Sequence, residues 1–445
     1  MSLEKQRVAI IGAGLAGVEA AWQLANHKIK VVLYEMRPHR KTEAHKTSDF
    51  AELVCSNSLK SKDLSTAHGL LKREMALAGS LVVDCAEKSS LPAGSALAVD
   101  KKMFSKLIEE KIKEHPFIEI VNEEVSDLIS LKNQFEYVIV ATGPLSSQGI
   151  TDSLLDVIKD QELYFYDSIA PIIYKESLDF KKVFRASRYQ AEKGDYLNCP
   201  FNESEYQNFY QNLITAEKVK FRDFEKPKHF EGCLPIETIA ERGYQTLLFG
   251  PFKPVGFIES GLKENPFAVM QLRQENKEDT LYNLVGCQTR MTYTEQKKVF
   301  RMVPGLENCE FANFGSMHRN TYINAPKHLT ESLELKSFKN VFLAGQISGV
   351  EGYTESAASG LWAAMNIVQL TQNKQIQNPD QTTMMFALVN HIVSSSLENF
   401  QPMSVNFGLL KKIDGPKIKK KKDRKLNQAQ TALKNWEIFL NNLNW

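Results

Sequence analysis

The stretch "RVAIIGAGLAGVEAAWQLANHKIKVVLYE", residues 7–35, decides the fold of this chain. Residues 8–11 are a short apolar run, which predicts a buried strand. A glycine turn follows it, and then a helix predicted over Leu15–Ala25 and a second strand over Val31–Tyr34. A strand, a glycine turn, a helix and a second strand in this order predict the first unit of a Rossmann-type domain.

The glycines of this unit have the spacing G-x-G-x-x-G, at Gly12, Gly14 and Gly17. The first allows the tight turn, the second lets the backbone approach a pyrophosphate, and the third lets the helix pack on the strand. The helix start directs its amides and its dipole at that phosphate. Glu35 ends the second strand, where a carboxylate binds ribose hydroxyls. The predicted cofactor-binding residues of this unit are Gly12, Ala13, Gly14, Leu15, Ala16, Gly17, Glu35 and Arg37.

Two later stretches have the same character. "YVIVATGP" (Tyr137–Pro144) is a buried strand that ends in Thr-Gly, and "NVFLAGQISGVEGYTESAASGLWAAMN" (Asn340–Asn366) is a strand that continues into glycines and a helix. With the first unit, these stretches resemble the FAD domain of the glutathione-reductase-like flavoproteins. The start of a helix over 355–369 would face the flavin, where a positive dipole stabilises the reduced ring. The further predicted cofactor-binding residues are Thr142, Gly143, Gly345, Gln346, Gly349 and Gly352.

The distribution of these motifs predicts the domain organisation. A chain of 445 residues exceeds one ordinary core, and the flavin-type motifs lie at both of its ends. We therefore expect an α/β fold in which an FAD-binding domain (1–170 and 321–410) is interrupted by an inserted α/β domain (171–320) that faces the flavin and RNA. Residues 411–445 are predicted to form a basic segment and a C-terminal helix. A second G-x-G-x-x-G is missing, so no separate nicotinamide-binding domain is expected.

Local patterns add detail to the inserted domain and the C-terminus. Residues 269–289 predict two strands joined by a polar turn. An amphipathic helix is predicted with one apolar face, made of Tyr206, Phe209, Tyr210 and Leu213. The lysine-rich run 411–425 reads as a solvated linker, with RNA binding as the alternative. The last helix is predicted to bury Ala429, Ala432, Leu433, Trp436 and Leu440.

Composition excludes several classes of protein. The net charge is +2, from 55 basic and 53 acidic residues, so a nucleic-acid surface has to be a local patch. No apolar run reaches the roughly 18 residues that span a bilayer, and no membrane association is expected. The nine histidines and six cysteines form no metal-type cluster, so no metal is predicted. Unpaired cysteines without a signal-peptide pattern favour reduced thiols in a cytoplasmic protein.

Long stretches of the chain, in order, are similar to one family. They include "GAGLAGVEAAWQLA" (12–25), "FAELVCSNSLKS" (50–61), "FEGCLPIE" (230–237), "GSMHRNTYINAP" (315–326) and "GQISGVEGYTESAASG" (345–360). From residue 8 to about 410 the chain resembles the folate- and FAD-dependent RNA uracil-5-methyltransferases, the TrmFO family. The resemblance implies an enzyme that makes 5-methyluridine in RNA. The methylene carbon would come from 5,10-methylenetetrahydrofolate, and the reducing equivalents from FAD that NADPH or NADH has reduced.

Two cysteines match family motifs, Cys55 in "ELVCSNS" and Cys233 in "FEGCLPIE". C5 of uracil becomes nucleophilic when a cysteine thiolate adds to C6, which explains a catalytic thiol. The resemblance implies that both cysteines act in catalysis, with Cys233 favoured as the nucleophile and Cys55 as a proton-transferring or flavin-guarding thiol; the reverse assignment stays open. A thiol with an ordinary pKa of about 8.5 is only slightly ionised at neutral pH. Because Cys55 precedes Ser56-Asn57-Ser58, we expect a helix start there to favour its thiolate.

Alternatives remain for the target and for the class of protein. Most members of the family methylate the tRNA T-loop uridine, and the alternative is a uridine of 23S ribosomal RNA. A flavin oxidoreductase acting on a small molecule would need neither RNA nor folate. A non-catalytic FAD protein that binds RNA would tolerate replacement of both cysteines.

Overall fold

The structure is a computed structural model, and it describes residues 7–42, 44–160, 163–189, 194–219, 234–257, 265–397, 400–411 and 418–445. Its strands are β1 Arg7–Ile11, β2 Lys30–Tyr34, β3 Ser58–Ser61, β4 Ser90–Leu91, β5 Ala96–Val99, β6 Ile118–Val121, β7 Tyr137–Val140, β8 Leu163–Ser168, β9 Ile172–Tyr174, β10 Phe184–Ala186, β11 Tyr196–Phe201, β12 Ala268–Gln274, β13 Leu281–Leu284, β14 Phe311–Asn313, β15 Met317–Tyr322 and β16 Val341–Leu343. Its helices are α1 Leu15–Asn26, α2 Ala67–Leu77, α3 Leu81–Lys88, α4 Lys101–Glu114, α5 Leu128–Gln134, α6 Gln148–Ile158, α7 Glu203–Thr215, α8 Ile236–Glu241, α9 Thr246–Phe249, α10 Tyr293–Phe300, α11 Ala325–His328, α12 Tyr353–Thr371, α13 Met384–Ser394 and α14 Lys421–Leu443.

A five-stranded parallel sheet, in the order β16-β7-β1-β2-β6, organises the first core. β1, β7 and β16 are almost entirely apolar and buried, as strands covered on both faces must be. Helices α1 and α12 cross at close range, because a Cβ placed on Gly360 would lie 2.1 Å from the carbonyl oxygen of Ala16. The segment that begins with β16 thus returns to the N-terminal glycine turn, as the flavin-type motifs at both ends of the chain predict.

A second sheet, in the order β10-β11-β12-β13-β9-β14, organises a separate hydrophobic core. β12 and β13 pair antiparallel, as the pattern over 269–289 predicts. Helix α7 buries the four predicted residues, Tyr206, Phe209, Tyr210 and Leu213. The mixed α/β architecture with a parallel Rossmann-type sheet and an intervening α/β unit is therefore confirmed. The domain boundaries given above stay a prediction.

A strand pair connects the two cores, and a long helix ends the chain. β8 and β15 pair antiparallel and join the sequence segments that enter and leave the second core. Helix α14 packs on the first core, where the Trp436 indole N–H donates to the carbonyl of Glu74 at 2.7 Å. The interpretation of 411–425 as a linker is wrong for its last part, because α14 begins at Lys421. Leu433 is only partly buried, whereas Phe439 and Leu443 are buried.

Among the described residues, no helix combines the length and the apolarity needed to cross a membrane.

Candidate active site

A deep cleft lies where the carboxyl ends of β1, β2, β7 and β16 meet. Its empty volume is about 1220 Å³, counted out to its open mouth. Ligands of open parallel sheets bind at this edge. The predicted residues that line the cleft are Gly12, Gly14, Leu15, Ala16, Glu35, Arg37, Cys55, Thr142, Gly143, Gly345 and Gln346.

The three glycines of the first turn have different surroundings. Gly12 has φ +103°, and a Cβ placed there would lie 2.6 Å from the carbonyl oxygen of Ala141. A Cβ on Gly17 would lie 1.8 Å from the carbonyl oxygen of Gly12. A Cβ on Gly14 would meet no protein atom within 4 Å, although Gly14 lines the cleft. Packing therefore requires glycine at positions 12 and 17. At position 14 a Cβ would meet no protein atom but would fill part of the cleft.

That space is suited to a phosphate group. Gly14 is the N-cap of α1, and no side chain caps the helix there. The first N–H groups of α1 and its positive dipole end are thus available to an anion. The fit to the pyrophosphate of a dinucleotide is good, because the backbone opposite the anion carries no Cβ.

Glu35 is held by a buried ion pair that faces the cleft. Its Oε2 accepts from the backbone N–H of Ala13 at 2.9 Å, and its Oε1 accepts from Arg37 Nε at 2.9 Å. Arg37 also donates to Glu52 at 3.3 Å. Burial opposes the charged form of Glu35, but hydrogen bonds and charge from Arg37 outweigh burial and hold its pKa below the usual value. Glu35 is therefore an ionised acceptor, and Arg37 is placed to orient it.

The other two flavin-type stretches, Tyr137–Pro144 and Asn340–Asn366, line the side of the cleft that lies away from Glu35. The Thr142 hydroxyl lies 2.6 Å from that of Ser146, and Gly143 has φ +68° with open space at its Cβ position. The Gly345 N–H donates to Ser359 at 2.7 Å, which ties the end of β16 to α12. These residues bring the second and third motifs to the same cleft.

Four predicted cofactor-binding residues, Ala13, Gly17, Gly349 and Gly352, lie behind the residues that line the cleft. Ala13 donates its N–H to Glu35, and Gly17 packs on Gly12. A Cβ on Gly349 would lie 2.4 Å from the ring of Phe400, and one on Gly352 the same distance from the carboxylate of Glu355. The structure thus gives these four residues packing roles, and a direct contact with a cofactor stays a prediction.

Cys55 is half-buried and lines the cleft. The expected helix start after it is wrong, because residues 58–61 form strand β3 and the Ser56 hydroxyl instead accepts from the N–H of Ser58 at 3.1 Å. The loop is held from the other side of the cleft. The Tyr353 hydroxyl accepts from the N–H of Cys55 at 2.7 Å and from that of Ser56 at 3.2 Å. Because Tyr353 is the first residue of α12, Cys55 is tied to the start of that helix.

The other described cysteines are buried in the two cores. Burial raises the pKa of Cys85 to about 12 and that of Cys309 to about 11. Burial also raises the pKa of Cys199 and Cys287. Burial and a raised pKa are typical of structural thiols, and all four described cysteines other than Cys55 have both. Cys233 lies outside the described residues, so the second catalytic candidate has no described position.

Sequence reasoning missed how the Cys55 loop is attached to the second core. The Asn57 amide donates to the carbonyl of Gln274 at 3.0 Å, and its oxygen accepts from Arg273 Nε at 2.9 Å. Lys101 pairs with Glu275 at 2.6 Å beside it. Partners more than 170 residues apart leave no local pattern that could have predicted them. The same holds for Tyr353 and for other cleft residues, among them His45, Glu52 and Asn320.

The fold and the cleft define an α/β protein with a Rossmann-type dinucleotide site. The solved structure of Aquifex aeolicus GidA in the form II crystal covers 100% of this chain and 74% of its own, with a TM-score of 0.72. At 15% identity, that likeness concerns the fold alone. The family described as glucose inhibited division protein A matches residues 7–375.

Curated relatives define the family more narrowly. A protein of Aquifex aeolicus is 51% identical over 99% of this chain and 98% of its own length, and one of Geobacter sulfurreducens is 51% identical over 97% and 98%. Both are named methylenetetrahydrofolate--tRNA-(uracil-5-)-methyltransferase TrmFO. The chain therefore belongs to the TrmFO family, within the wider family of glucose inhibited division protein A.

Proposed function

We propose that this protein is an enzyme that methylates C5 of a uridine in tRNA. It takes the carbon from 5,10-methylenetetrahydrofolate, and it uses FAD that a nicotinamide, NADPH or NADH, has reduced. The observation that carries the proposal is the 51% identity, over 99% of the chain, to a relative named for this activity. The cleft supports it independently, because a dinucleotide-type cradle and a thiol occur together there.

The residues of the first core hold and orient the cofactor. The N–H groups at the start of α1, beside the open space at Gly14, would bind the pyrophosphate, and ionised Glu35 would accept from ribose hydroxyls. When bound, FAD supplies the reducing equivalents for converting a methylene into a methyl group. The start of α12, beside Tyr353 and Cys55, places a positive dipole end at the cleft.

The cysteines supply the covalent and proton-transfer chemistry. The thiolate of Cys233 adds to C6 of uracil, and C5 then attacks the one-carbon donor. After the carbon is transferred, the C5 proton must leave before the C6–S bond breaks. Cys55 lies in the cleft, held through its backbone by Tyr353, and is the candidate to accept that proton or to shield the flavin.

The proposal is tested by methylation of defined RNAs. FAD-loaded protein is incubated with labelled methylenetetrahydrofolate, NADPH or NADH, and separate transcripts of tRNA and of 23S rRNA. We expect 5-methyluridine at a single tRNA position, and none when the folate is omitted. Methylation of the rRNA transcript alone would replace the target, and turnover without any RNA would favour a small-molecule oxidoreductase.

The roles of the two thiols are tested with tRNA that carries 5-fluorouridine at the target. Because fluorine cannot leave as a proton does, the adduct stalls and a covalent complex accumulates. We expect Cys233→Ala to lose this complex, and Cys55→Ala to lose methylation while it still forms crosslinks. Cys85→Ala, in a buried cysteine of the first core, is the control and should keep both activities. Crosslinking by Cys233→Ala but not by Cys55→Ala would exchange the roles.

A further inference from the structure

Three aromatic rings form a stack that runs from the second core to the surface. Phe311 packs against that core, with its ring centroid 6.5 Å from that of buried Phe300. Phe314 stacks on Phe311 at 4.8 Å and 17°, and Tyr293 stacks on Phe314 at 4.8 Å and 21°. Tyr293 is the outermost ring and is 60% exposed. An anchored stack of this kind holds its last ring rigidly and offers that ring to another flat group.

The groups around this stack are basic. Lys297 lies 5.6 Å from the centroid of Phe314, and Lys297, Lys298 and Arg301 line the hollow beside Tyr293 and Phe314. Lys298 pairs with Glu295 at 3.6 Å, whereas Arg301 donates to the uncharged carbonyl of Cys309. Within the described parts of the chain, Lys297 and Arg301 make no ion pair with a carboxylate. An exposed ring with cations beside it is complementary to a base and its flanking phosphates.

The stack lies next to the cleft. Tyr293 also lines a second hollow, together with Val219, Arg290 and Met317. Met317 begins β15, and Asn320 on the same strand lines the cleft about 10 Å further along. On the other side, Lys46 donates to the side chain of Asn313, one residue before Phe314, and its neighbour His45 lines the cleft. The stack is therefore connected to the cleft through β15 on one side and through Lys46 on the other.

The described residues that flank the segment carrying Cys233 are hydrogen-bonded to one short stretch of chain just before Tyr293. The N–H of Val219 donates to the carbonyl of Arg290 at 2.9 Å, and the N–H of Ile236 donates to that of Gln288 at 2.7 Å. Val219 and Ile236 are thus both bonded to the stretch 288–290, which leads to Tyr293.

We propose that Tyr293, backed by Phe314 and Phe311, is a stacking platform for an unpaired base of the substrate RNA close to the target uridine, with Lys297 and Arg301 contacting the adjoining phosphates. The proposal rests on the proposed function, since it assumes an RNA substrate. Single-stranded loops are recognised in this way, because their unstacked bases stack on aromatic side chains. The platform fixes the strand beside the cleft while the neighbouring uridine enters it.

The test is the equilibrium Kd of the full-length, FAD-loaded protein for the tRNA transcript. Tyr293→Ala should raise Kd by about 5- to 150-fold, the usual loss for one base–aromatic stack. Tyr293→Phe keeps the ring and should stay within about twofold of wild type. Tyr174→Ala, at an exposed tyrosine of β9, is the matched control and should leave Kd unchanged. Lys297→Gln should lower the salt dependence of binding by about one phosphate contact.

The outcomes separate this inference from the proposed function. If wild type methylates tRNA and Tyr293→Ala binds it as tightly as wild type, the platform is wrong and the function stands. If wild type neither binds nor methylates tRNA, both are wrong. If Tyr293→Ala changes the oligomeric state of the free protein without changing Kd, the stack is a contact between copies and the inference is overturned. Because Tyr293 is exposed, the visible flavin spectrum of the variant should match that of wild type.

Discussion

The substitution Gly14→Val separates cofactor binding from folding. Gly14 has φ −74° and ψ −177°, a backbone conformation that any residue adopts, and a Cβ there meets no protein atom within 4 Å. The apoprotein should therefore fold with a stability within about 1 kcal/mol of wild type. The added side chain instead occupies the space through which a pyrophosphate approaches the start of α1.

The expected loss of affinity follows from the bonds that are blocked. A phosphate held at a helix start accepts charge-assisted hydrogen bonds worth about 1.5–3 kcal/mol each. If valine blocks two of them, FAD binds about 3–6 kcal/mol more weakly, which is a factor of about 10² to 10⁴ in Kd. Gly17→Ala should behave in the opposite way, because its Cβ would lie 1.8 Å from the carbonyl oxygen of Gly12 and strain the fold itself.

The assay compares apoproteins first and cofactor binding second. Urea unfolding of FAD-free wild type, Gly14→Val and Gly17→Ala should give similar midpoints for the first two and a lower midpoint for the third. Titration with FAD, followed by flavin fluorescence, should then give the weakened Kd for Gly14→Val. Wild-type FAD affinity in Gly14→Val would refute the placement of the pyrophosphate at this turn.

Three further predictions concern the packing around the cleft. Arg37→Met should destabilise the apoprotein by about 3–5 kcal/mol at pH 7, because Glu35 keeps a buried charge without its partner. The pKa of Glu35 is lowered in the folded protein, so the stabilisation by Arg37 is present above the ordinary pKa of 4.5 and is lost as pH falls through the folded pKa. The difference in the free energy of unfolding between Arg37→Met and wild type, measured by urea unfolding, should therefore shrink in that acid range. Gly360→Val should lower the free energy of unfolding by at least about 2 kcal/mol, because its Cβ meets the carbonyl oxygen of Ala16 at 2.1 Å, and an unchanged unfolding midpoint would contradict the close crossing of α1 and α12. In reduced native protein the four buried thiols, Cys85, Cys199, Cys287 and Cys309, should resist alkylation until the chain unfolds, and rapid labelling of any of them in peptide maps would contradict its burial.

The first core was predictable because its motifs are local. The turn at Gly12–Gly17 combines a tight bend, a helix start and an acid at the end of β2 within 29 residues, and each part follows from short-range geometry. The apolar strands β7 and β16 could be identified in the same way. The amphipathic face of α7 follows from helical spacing alone.

The surroundings of Cys55 could not be predicted, because they depend on residues far away in sequence. The pattern Ser56-Asn57-Ser58 predicts a helix cap, but β3 begins at Ser58 and pairs with β5, so this segment leads into a sheet. Asn57 consequently binds β12 across 216 residues, and Tyr353 reaches the Cys55 loop across 298. Tertiary pairing outweighed local propensity at this point.

The start of α14 shows the same limit at the surface. A run of lysines predicts a solvated linker, because like charges repel. The apolar side of α14 is nevertheless buried on the first core through Trp436 and Phe439. This packing stabilises the helix, whose first residue is Lys421. The charged residues alone therefore do not indicate the residue at which α14 begins.

The central claim is that the methyl carbon placed on uridine comes from the folate. Wild-type protein with FAD, a nicotinamide reductant, tRNA and methylenetetrahydrofolate labelled with ¹³C at the methylene carbon should give 5-methyluridine with the label in its methyl group, as read by mass spectrometry of the digested RNA. Unlabelled 5-methyluridine, or label in the RNA at any atom other than that methyl group, would contradict the account.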